Sequence, residues 1–430
     1  MNEVSTSTLN DMCELIVDCP HFTPDWTQNG FVVIRNQNIR DGRLDLTNPS
    51  YTHREDFDRR IKRAKPKAYD IIFTREAPMG EVCMIPNNLE CCIGQRQVLL
   101  RPKKDVNARY LFFALRSSYV RHQIFWNEGT GSTVSNVRIP VLEVLKIPRL
   151  GNSEKKIGDL LGSLDDKIEL NRQMNETLEA TARLFFKDWF VDFGPTRAKA
   201  EGRPAYLAPD LWSLFPDALD DDDKPIAWET STIGQEVRVV GGTTPSTKEP
   251  TYWNGEFCWA TPKDLSSLKT PVLLSTERRI TQAGISQIGS GLLPIGTVLL
   301  SSRAPIGYLV ISQVETAVNQ GFIAMVCEEK LSNVFVWLWT QSNMEVILQK
   351  ANGSTFQEIS KSNFRPIQVI VADRTILLAF DEITQPLYKQ IVANEQESRT
   401  LAQTRDLLLP KLMSGEIRLR DAEKIAGQAL

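Results

Sequence analysis

Two segments of the chain place apolar residues at alternating spacings of four and three, the period with which one helix packs along another. The first series is Ile157, Leu161, Leu164, Ile168, Asn171, Asn175, Leu178, Ala182, Phe185 and Trp189. The second series is Phe380, Thr384, Leu387, Ile391, Asn394, Ser398, Leu401, Arg405, Leu408 and Leu412. Both have polar residues in the middle, and buried polar residues at such positions fix helix register. The pattern predicts two long helices that form an antiparallel coiled coil. The alternative is two amphipathic helices that pack separately on their own domains.

The two helical segments are also related in sequence. Asn171 and Leu178 recur as Asn394 and Leu401, at a constant offset of 223 residues. In the blocks that precede them, Arg75–Gly80 resembles Arg303–Gly307 with one residue fewer, and Gly131-Ser132-Thr133 resembles Gly353-Ser354-Thr355. A duplicated unit of about 220 residues explains these matches together.

Apolar runs predict the same elements in the same order in both blocks. In the first block, strands at 69–74 and 97–101 precede an amphipathic helix at 108–126. In the second, strands at 297–302 and 321–326 precede a helix at 332–348. Pro386 and Pro410 fall within the second long helix. Because proline lacks an amide hydrogen and clashes with the preceding turn, a kink or restart is expected at the first, and an end or bend at the second.

These elements predict an α+β fold in which two repeated domains are joined by two long helices. The predicted boundaries are 1–150 for the first domain, 151–195 for a central helical spacer, 196–230 for a linker, 231–370 for the second domain, 371–420 for a distal helical spacer and 421–430 for a tail. The linker is inferred from its Pro, Gly and Asp content, and its aromatic residues are expected to pin it to the surface.

Charge is distributed unevenly around a net value of −3. Residues 1–150 carry +4 and residues 231–370 carry +1, whereas residues 193–230 carry −4. The distribution fits weak intrinsic affinity for a polyanion that needs help from a partner, although compositional scatter explains it equally well. No apolar run reaches the roughly 18 residues of a membrane span, and the first ten residues lack a basic-then-apolar start. The sequence therefore predicts a cytoplasmic protein without membrane contact.

The sequence contains none of the common catalytic motifs. It lacks a phosphate-binding G-x-x-x-x-G-K-[ST] loop, a methyl-donor loop with an Asn-Pro-Pro-aromatic motif, and a nuclease-like carboxylate cluster. Its seven cysteines and three histidines show no metal-ligand spacing, so reduced thiols and no zinc site are expected. The chain is predicted to have no catalytic residue, no metal and no cofactor of its own.

Side chains that suit nucleic-acid contact occur in both blocks. Lys and Arg pair with phosphates, and Arg and Gln suit base edges in the major groove. The candidates are Arg63, Lys65, Arg75, Gln95 and Arg96 in the first block, and Thr243, Thr244, Lys248, Tyr252, Trp253, Lys263, Arg303 and Gln320 in the second. For each of them, a structural hydrogen bond or a solvated charge is the alternative.

Several stretches together resemble the specificity subunits of Type I restriction-modification systems. Gly241–Ser246, Tyr252–Gly255 and Trp259–Leu265 are similar to the opening of a target-recognition domain. Trp189–Pro195 is similar to the end of the family's central helical region, and Leu407–Ile417 to the end of its distal region. The first block lacks the Gly-Gly-Thr-Thr-Pro and Thr-Pro-Lys-Asp motifs, so its assignment as a target-recognition domain depends on the internal repeat.

The resemblance implies a non-catalytic scaffold that reads a bipartite, asymmetric site in double-stranded DNA. It implies two methyltransferase subunits and two restriction subunits as partners, with S-adenosylmethionine, ATP and Mg bound by those partners. Adenine methylation or restriction would then be carried out by the partners at the site that this chain selects. The alternatives are a stand-alone DNA-binding regulator and a coiled-coil adaptor.

The long helices have the length to set the distance between two half-sites. A helix from Ser153 to Asp192 would be about 60 Å long, compared with about 34–36 Å for one turn of DNA. The residues assigned to this spacer, or to partner contact, are Ile168, Asn171, Leu178, Ile391, Asn394 and Leu401.

Overall fold

The computed structural model describes residues 5–126, 136–353 and 357–429. The chain divides into two compact units. Unit 1 comprises Met1–Glu169 and Ser398–Leu430, and unit 2 comprises Leu170–Glu397. Each unit contains one block and part of each long helix. The matched segments Gly131-Ser132-Thr133 and Ser354-Thr355 lie outside the described residues.

The first block consists of short strands and short helices. Its strands are β1 (Thr6–Thr8), β2 (Cys13–Asp18), β3 (Trp26–Thr27), β4 (Phe31–Ile34), β5 (Ile39–Arg40), β6 (Arg43–Leu44), β7 (Ser50–Thr52), β8 (Ile71–Thr74), β9 (Val82–Met84), β10 (Cys91–Ile93), β11 (Gln97–Pro102) and β12 (Lys146–Pro148). Its helices are α1 (Leu9–Met12), α2 (Arg54–Arg60), α3 (Ala108–Arg116), α4 (Ser118–Trp126) and α5 (Ile139–Glu143).

Two four-stranded sheets form the body of this block. One has the order β2-β11-β8-β9 and is antiparallel, and the other has the order β10-β4-β7-β3, with β10 parallel to β4. The two predicted strands correspond to β8 and β11. The predicted helix at 108–126 is divided at Ser117, whose backbone is extended and whose hydroxyl donates to the Ala114 carbonyl at 2.6 Å. This local bond competes with helix continuation.

The first long helix, α6 (Glu154–Phe190), starts where the Glu154 carboxylate accepts hydrogen bonds from the backbone N–H groups of Leu150 and Gly151. An acidic group in the first turn satisfies free amides and complements the helix dipole. Two short helices follow, α7 (Gly194–Ala200) and α8 (Pro209–Leu214). The Tyr206 hydroxyl in this connection donates to Asp188 of α6 at 2.9 Å. An aromatic residue thus holds the segment in place.

The second block follows. Its strands are β13 (Glu229–Thr232), β14 (Arg238–Val240), β15 (Trp253–Ala260), β16 (Val272–Leu273), β17 (Arg278–Ile280), β18 (Val298–Ser302), β19 (Ile306–Ser312), β20 (Thr316–Val318), β21 (Phe322–Val326) and β22 (Gln368–Val371). Its helices are α9 (Ile233–Glu236), α10 (Pro262–Ser266), α11 (Gln282–Ile285), α12 (Asn333–Ser342), α13 (Met344–Gln349) and α14 (Lys361–Phe364).

The sheets of the second block have the orders β14-β21-β18-β19-β16 and β17-β15-β20, with β15 parallel to β20. The predicted strands correspond to β18 and β21, and the helix predicted at 332–348 is divided into α12 and α13 at Asn343. In both blocks a two-stranded antiparallel pair, β1 with β12 and β13 with β22, brings the start of the block next to its end.

The second long helix, α15, extends from Arg374 to Met413 without interruption at Pro386 or Pro410. The restart considered at Pro386 and the end considered at Pro410 therefore do not occur. Proline in a helix costs about 3 kcal/mol, but fully buried residues flank both positions, including Phe380, Ile391 and Leu408. Their packing offsets the missing hydrogen bond. The C-terminal segment forms α16 (Leu419–Gly427), whose residues Ala422 and Ala426 are buried in the core of unit 1.

The long helices supply part of the core of each unit. In unit 1, Leu161 and Leu164 of α6 lie in one cluster with Leu408 and Leu412 of α15. In unit 2, an aromatic cluster joins α6, α12 and α15, with ring centroids 5.0 to 6.1 Å apart among Phe186, Phe190, Phe335 and Phe380. None of the helices in the described residues is both long and apolar enough to cross a membrane.

Candidate nucleic-acid interface

Unit 2 has an open depression of about 440 Å³ beside the Ala-Pro turn. The turn that joins β18 to β19 forms one side, α10 forms another, and the residues between β20 and β21 form the third. Its lining residues are Thr261, Pro262, Lys263, Ser266, Arg303, Ala304, Tyr308, Asn319 and Gly321. The fold thus brings together Lys263 and Arg303, two candidates that are 40 residues apart in the sequence.

Both basic groups at this depression are solvent-exposed and weakly paired. Lys263 is 78% exposed and contacts Glu277 at 2.8 Å, and this hydrogen bond raises the pKa of the ammonium group. Arg303 is 38% exposed and lies 3.5 Å from Glu358. Exposed ion pairs contribute little because water screens them, so either group can exchange its carboxylate for a phosphate or a base edge.

Uncharged hydrogen-bonding groups extend this surface. The hydroxyl of Thr244 donates to Gln320 Oε1 at 2.8 Å, and Thr243 donates to the Gln287 carbonyl at 3.4 Å. Gln320 lies next to Asn319 and Gly321 of the depression. The exposed Lys248 is in the same loop as these threonines. Thr243, Thr244 and Lys248 therefore share one loop of unit 2, and the Thr244–Gln320 hydrogen bond joins this loop to the one that contains Gln320.

The aromatic candidates of this block have structural partners. Trp253 is 8% exposed and its indole N–H donates to the Ser246 carbonyl at 3.0 Å. The guanidinium of Arg278 lies 3.7 Å above the Trp253 ring and 5.1 Å from the Trp259 ring. Tyr252 is half-buried and packs against the same cluster. Trp253 thus shapes the loop rather than presenting a free ring face, and Arg278 is a basic residue that the sequence analysis did not select.

In unit 1, the candidate side chains differ in availability. Arg75 is 20% exposed; it donates to Asp18 at 2.9 and 3.0 Å and to the Val137 carbonyl at 2.9 Å, so it holds the domain together. Arg96 is 53% exposed, with Glu76 at 3.4 Å. Gln95 is exposed and donates to the His21 carbonyl at 3.3 Å.

The two candidates from the basic run lie on the surface. Arg63 is exposed, and Lys65 is exposed and hydrogen-bonded to Glu90 at 2.5 Å. Both follow α2, whereas Gln95 and Arg96 lie in the loop between β10 and β11. They remain suited to phosphate contact.

The two blocks have the same local geometry around the Ala-Pro turn. The Thr74 hydroxyl accepts the Glu81 N–H at 2.9 Å, as the Ser301 hydroxyl accepts the Tyr308 N–H at 2.8 Å. Ala77 and Ala304 both have positive φ, 49° and 56°, and both precede a cis proline. Bridges join Glu76 to Asn136 and Arg303 to Glu358. Glu76 therefore occupies in unit 1 the position that Arg303 occupies in unit 2.

The first block also contains a structural counterpart of the Thr-Pro-Lys-Asp motif. The Thr261 N–H donates to the Asp264 carboxylate at 2.8 Å, and the Arg35 N–H donates to the Asn38 side chain at 2.9 Å. Arg35–Asn38 follows β4, which is parallel to β10, and Thr261–Asp264 follows β15, which is parallel to β20. Both segments start a short helical turn. Gln37 therefore occupies the position of Lys263. Sequence reasoning missed this match because Arg35–Asn38 has no residue in common with Thr261–Asp264.

In unit 1, Asn36 forms side-chain hydrogen bonds at the place equivalent to the depression of unit 2. Its side-chain amide donates to the Glu76 carbonyl at 2.5 Å and accepts from the Gln97 side chain at 3.1 Å. The equivalent residue in unit 2 is Pro262, which has no side-chain polar atom and lines the depression. The two repeats thus differ in their hydrogen-bonding groups at this position.

The spacer residues lie in the seams of the long helices. In unit 2, the Asn171 amide donates to the Asn394 carbonyl at 3.3 Å and to Glu397 at 2.6 Å, and the Asn394 amide donates to Asn175 at 2.8 Å. Ile391 is buried and Leu178 packs against the same core. In unit 1, Leu401 is buried, and Ile168 packs against its core. These side chains contact the opposite helix and their own domain.

Among its described residues, unit 1 contains one group of possible metal ligands and two adjacent thiols. Asp25, His53 and Asp56 lie together in unit 1. However, His53 Nδ1 accepts the Asp56 backbone N–H, and Arg59 neutralises Asp56 at 2.9 Å. This is the start of α2, with a histidine cap. Burial raises the pKa of the thiols of Cys91 and Cys92, to about 12 and about 11, so these cysteines are poor nucleophiles.

The model of a family described as Type I restriction modification DNA specificity domain matches residues 1–180 and 225–373. The chain belongs to this family. The two matched regions contain the two blocks, so the predicted specificity-subunit family with two recognition domains is confirmed.

Two curated specificity subunits show the extent of the similarity. The Type I restriction enzyme HindI specificity subunit of Haemophilus influenzae is 25% identical over 430 residues, covering 87% of this chain and 93% of its own length. The MjaIX specificity subunit of Methanocaldococcus jannaschii is 25% identical over 358 residues, covering 82% and 78%. The crystal structure of a Type I S subunit from M. genitalium has a TM-score of 0.57 at 16% identity and covers 96% of this chain and 97% of that one. The predicted α+β fold with long connecting helices is confirmed.

Proposed function

We propose that this specificity subunit reads a bipartite, asymmetric site in double-stranded DNA and directs adenine methylation or restriction by partner subunits. The observation that supports this most directly is the repeat of one surface geometry in two domains with different side chains. Two readers of the same construction but different chemistry suit two half-sites of different sequence. The chain itself is proposed to be non-catalytic.

The proposed partners are two methyltransferase subunits and two restriction subunits. A repeat of exposed apolar residues on the long helices supports a pair of equivalent partners. Leu184 on α6 is 68% exposed, and Leu407 on α15, which is 223 residues further along, is 51% exposed. Exposed leucines at equivalent places suit contact with two copies of one protein. S-adenosylmethionine, ATP and Mg are proposed to bind to the partners.

The experiment combines purified chain with its cognate methyltransferase and S-adenosylmethionine, followed by long-read detection of methyladenine. The chain alone is expected to give no methylation, and the complex is expected to methylate one bipartite motif. A complex lacking this chain is the control. Methyl transfer by the isolated chain, or an unchanged set of methylated sites without it, would contradict the proposal.

The same preparations separate the proposed function from a stand-alone regulator and from a coiled-coil adaptor. A regulator binds its target tightly without the methyltransferase. An adaptor shows no salt-dependent DNA binding even in the complex, because it neutralises no phosphates. DNA binding measured by fluorescence anisotropy at several salt concentrations, with and without the methyltransferase, distinguishes the three functions.

A further inference from the structure

The two repeats carry opposite charges at one equivalent position of their surfaces. In unit 2, the residue before the Ala-Pro turn is Arg303, and in unit 1 it is Glu76. The equivalence follows from the paired bridges Glu76–Asn136 and Arg303–Glu358, together with the matching bonds Arg75 N–H to Arg96 carbonyl and Ser302 N–H to Gly321 carbonyl, both 2.8 Å.

Each of these side chains meets a weak, exposed partner of opposite charge among the described residues. Glu76 is 28% exposed and lies 3.4 Å from Arg96, which is 53% exposed. Arg303 is 38% exposed and lies 3.5 Å from Glu358, which is 46% exposed. In unit 1 the acidic member of the pair is Glu76, at the turn. In unit 2 it is Glu358, the residue that forms a β-bridge with Arg303 at the turn. Ion pairs of this kind contribute little to stability and exchange readily with water.

The backbone under both side chains is fixed by hydrogen bonds on either side. Arg75 precedes Glu76, and its carbonyl accepts a hydrogen bond from the Val137 N–H at 3.0 Å. Ser302 precedes Arg303, and its carbonyl accepts a hydrogen bond from the Ile359 N–H at 3.0 Å. In unit 1, the Glu76 carbonyl also accepts from Asn36. A rigid backbone with an exposed polar tip is the arrangement that direct readout of a base requires, because the base must be met at a fixed position.

The chemistry of the two tips selects different base edges. Arginine donates two parallel bonds to O6 and N7 of guanine, whereas a carboxylate accepts from the amino group of cytosine. We propose that Glu76 and Arg303 are specificity-determining residues at equivalent positions of the two recognition domains, Arg303 reading a guanine in one half-site and Glu76 reading a cytosine in the other. This inference rests on the proposed function, since it requires that the two surfaces face DNA.

The test compares Arg303→Gln and Glu76→Gln with the wild-type chain, each in complex with the cognate methyltransferase. The methylated motif is determined by long-read sequencing of a host genome. Arg303→Gln is expected to relax the requirement for guanine at one position of one half-site, with at least about a fivefold loss of discrimination. Glu76→Gln is expected to relax one cytosine position in the other half-site only.

Matched controls distinguish base reading from loss of an ion pair. Glu358→Gln removes the partner of Arg303 but keeps the guanidinium, so the guanine requirement should remain. Glu143→Gln, at a half-buried position of α5, removes a charge elsewhere in unit 1 and should leave the motif unchanged. A relaxed guanine position with Glu358→Gln as well would assign the effect to the ion pair and overturn the inference.

A second measurement covers variants that no longer methylate. Purified complexes are titrated with four duplexes that differ only at the assigned base. A loss of preference among the four duplexes supports base reading. An equal weakening on all four indicates phosphate contact or a structural defect, and either contradicts the inference. An unchanged motif in both variants contradicts it too, whereas a wild-type complex that methylates no specific motif would contradict the proposed function itself.

Discussion

Glu179 shows how burial of one side chain within unit 2 makes folding dependent on pH. Its carboxylate is 13% exposed on α6, and the desolvation raises its pKa to about 7, although Arg183 at 3.6 Å acts in the opposite direction. The folded chain therefore holds this proton more tightly than the unfolded chain does. Its contribution to stability is present at low pH and is lost as pH rises from about 4.5 to about 7.

Replacing Glu179 with glutamine should remove this dependence. The variant is expected to be more stable than wild type by about 1–3 kcal/mol at pH 8 and by less than about 1 kcal/mol at pH 5. Thermal unfolding at both pH values measures the difference. Glu176→Gln, at a neighbouring residue with 61% exposure, is the control and should change little at either pH. Equal stabilisation by Glu179→Gln at pH 5 and pH 8 would show that the effect is not one of ionisation.

At the scale of single elements, the long helices combine apolar packing with a polar layer that fixes their register. The Asn171–Asn394–Asn175 hydrogen bonds in unit 2 have donor–acceptor distances of 2.8 to 3.3 Å. In unit 1, Arg405 occupies a seam position and donates to Asp165 at 2.5 Å. A shift of one helix by a turn would leave these groups buried without partners, which is costly.

Lengthening both long helices should therefore change the gap in the DNA motif without changing its halves. Seven residues inserted after Glu169 and seven after Glu397 keep both seams and lengthen each helix by about 10 Å, or about three base pairs at 3.4 Å each. An insertion after Leu178 alone would displace Phe186 and Phe190 from their core, so the structure favours the paired design. The readout is the methylated motif.

The control for the paired insertion is an insertion after Glu169 alone, which moves Asn171 out of register with Asn394. It is expected to reduce folding and methylation. If the paired variant methylated the original motif with the original gap at full efficiency, the helices would not set the spacing.

At the scale of the whole molecule, each recognition domain is a module with adjacent ends. Residues Ser231 and Val369 are opposite each other in the β13–β22 pair. Exchanging residues 231–370 for the block of another family member therefore keeps entry and exit strands together. The exchange is expected to change one half of the methylated motif and leave the other half and the gap as they were. Long-read sequencing measures both halves.

The aromatic contacts of the exchanged block supply the control. Phe335 packs against Phe186 and Phe380 of the long helices, with centroids 5.2 and 6.0 Å apart. A second chimera that keeps the residue types at these helix-facing positions should fold as well as the parent. A change in both halves of the motif would mean that the two domains do not read independently.

The amino-acid sequence alone determined the period of the helices, the duplication and the order of strands around the Ala-Pro turn. These features are local patterns, or matches between two local patterns, so they can be read without knowledge of any tertiary contact. It also matched Arg75 with Arg303, because identical residue types align most easily. The folded chain instead places Ser302 at the position of Arg75 and Glu76 at the position of Arg303, since hydrogen bonds between distant strands fix that register.

Tertiary structure alone decided which candidates are available at a surface. Arg75 and Trp253 have suitable chemistry, yet Asp18 and the Ser246 carbonyl occupy their polar groups. Lys263 and Arg303 meet at one depression because α10 and the turn after β18 border it. Arg35–Asn38 shares no motif with Thr261–Asp264, but both segments follow strands in equivalent sheets. Exposure, partners and proximity depend on contacts between residues far apart in the chain, and a one-dimensional pattern does not contain them.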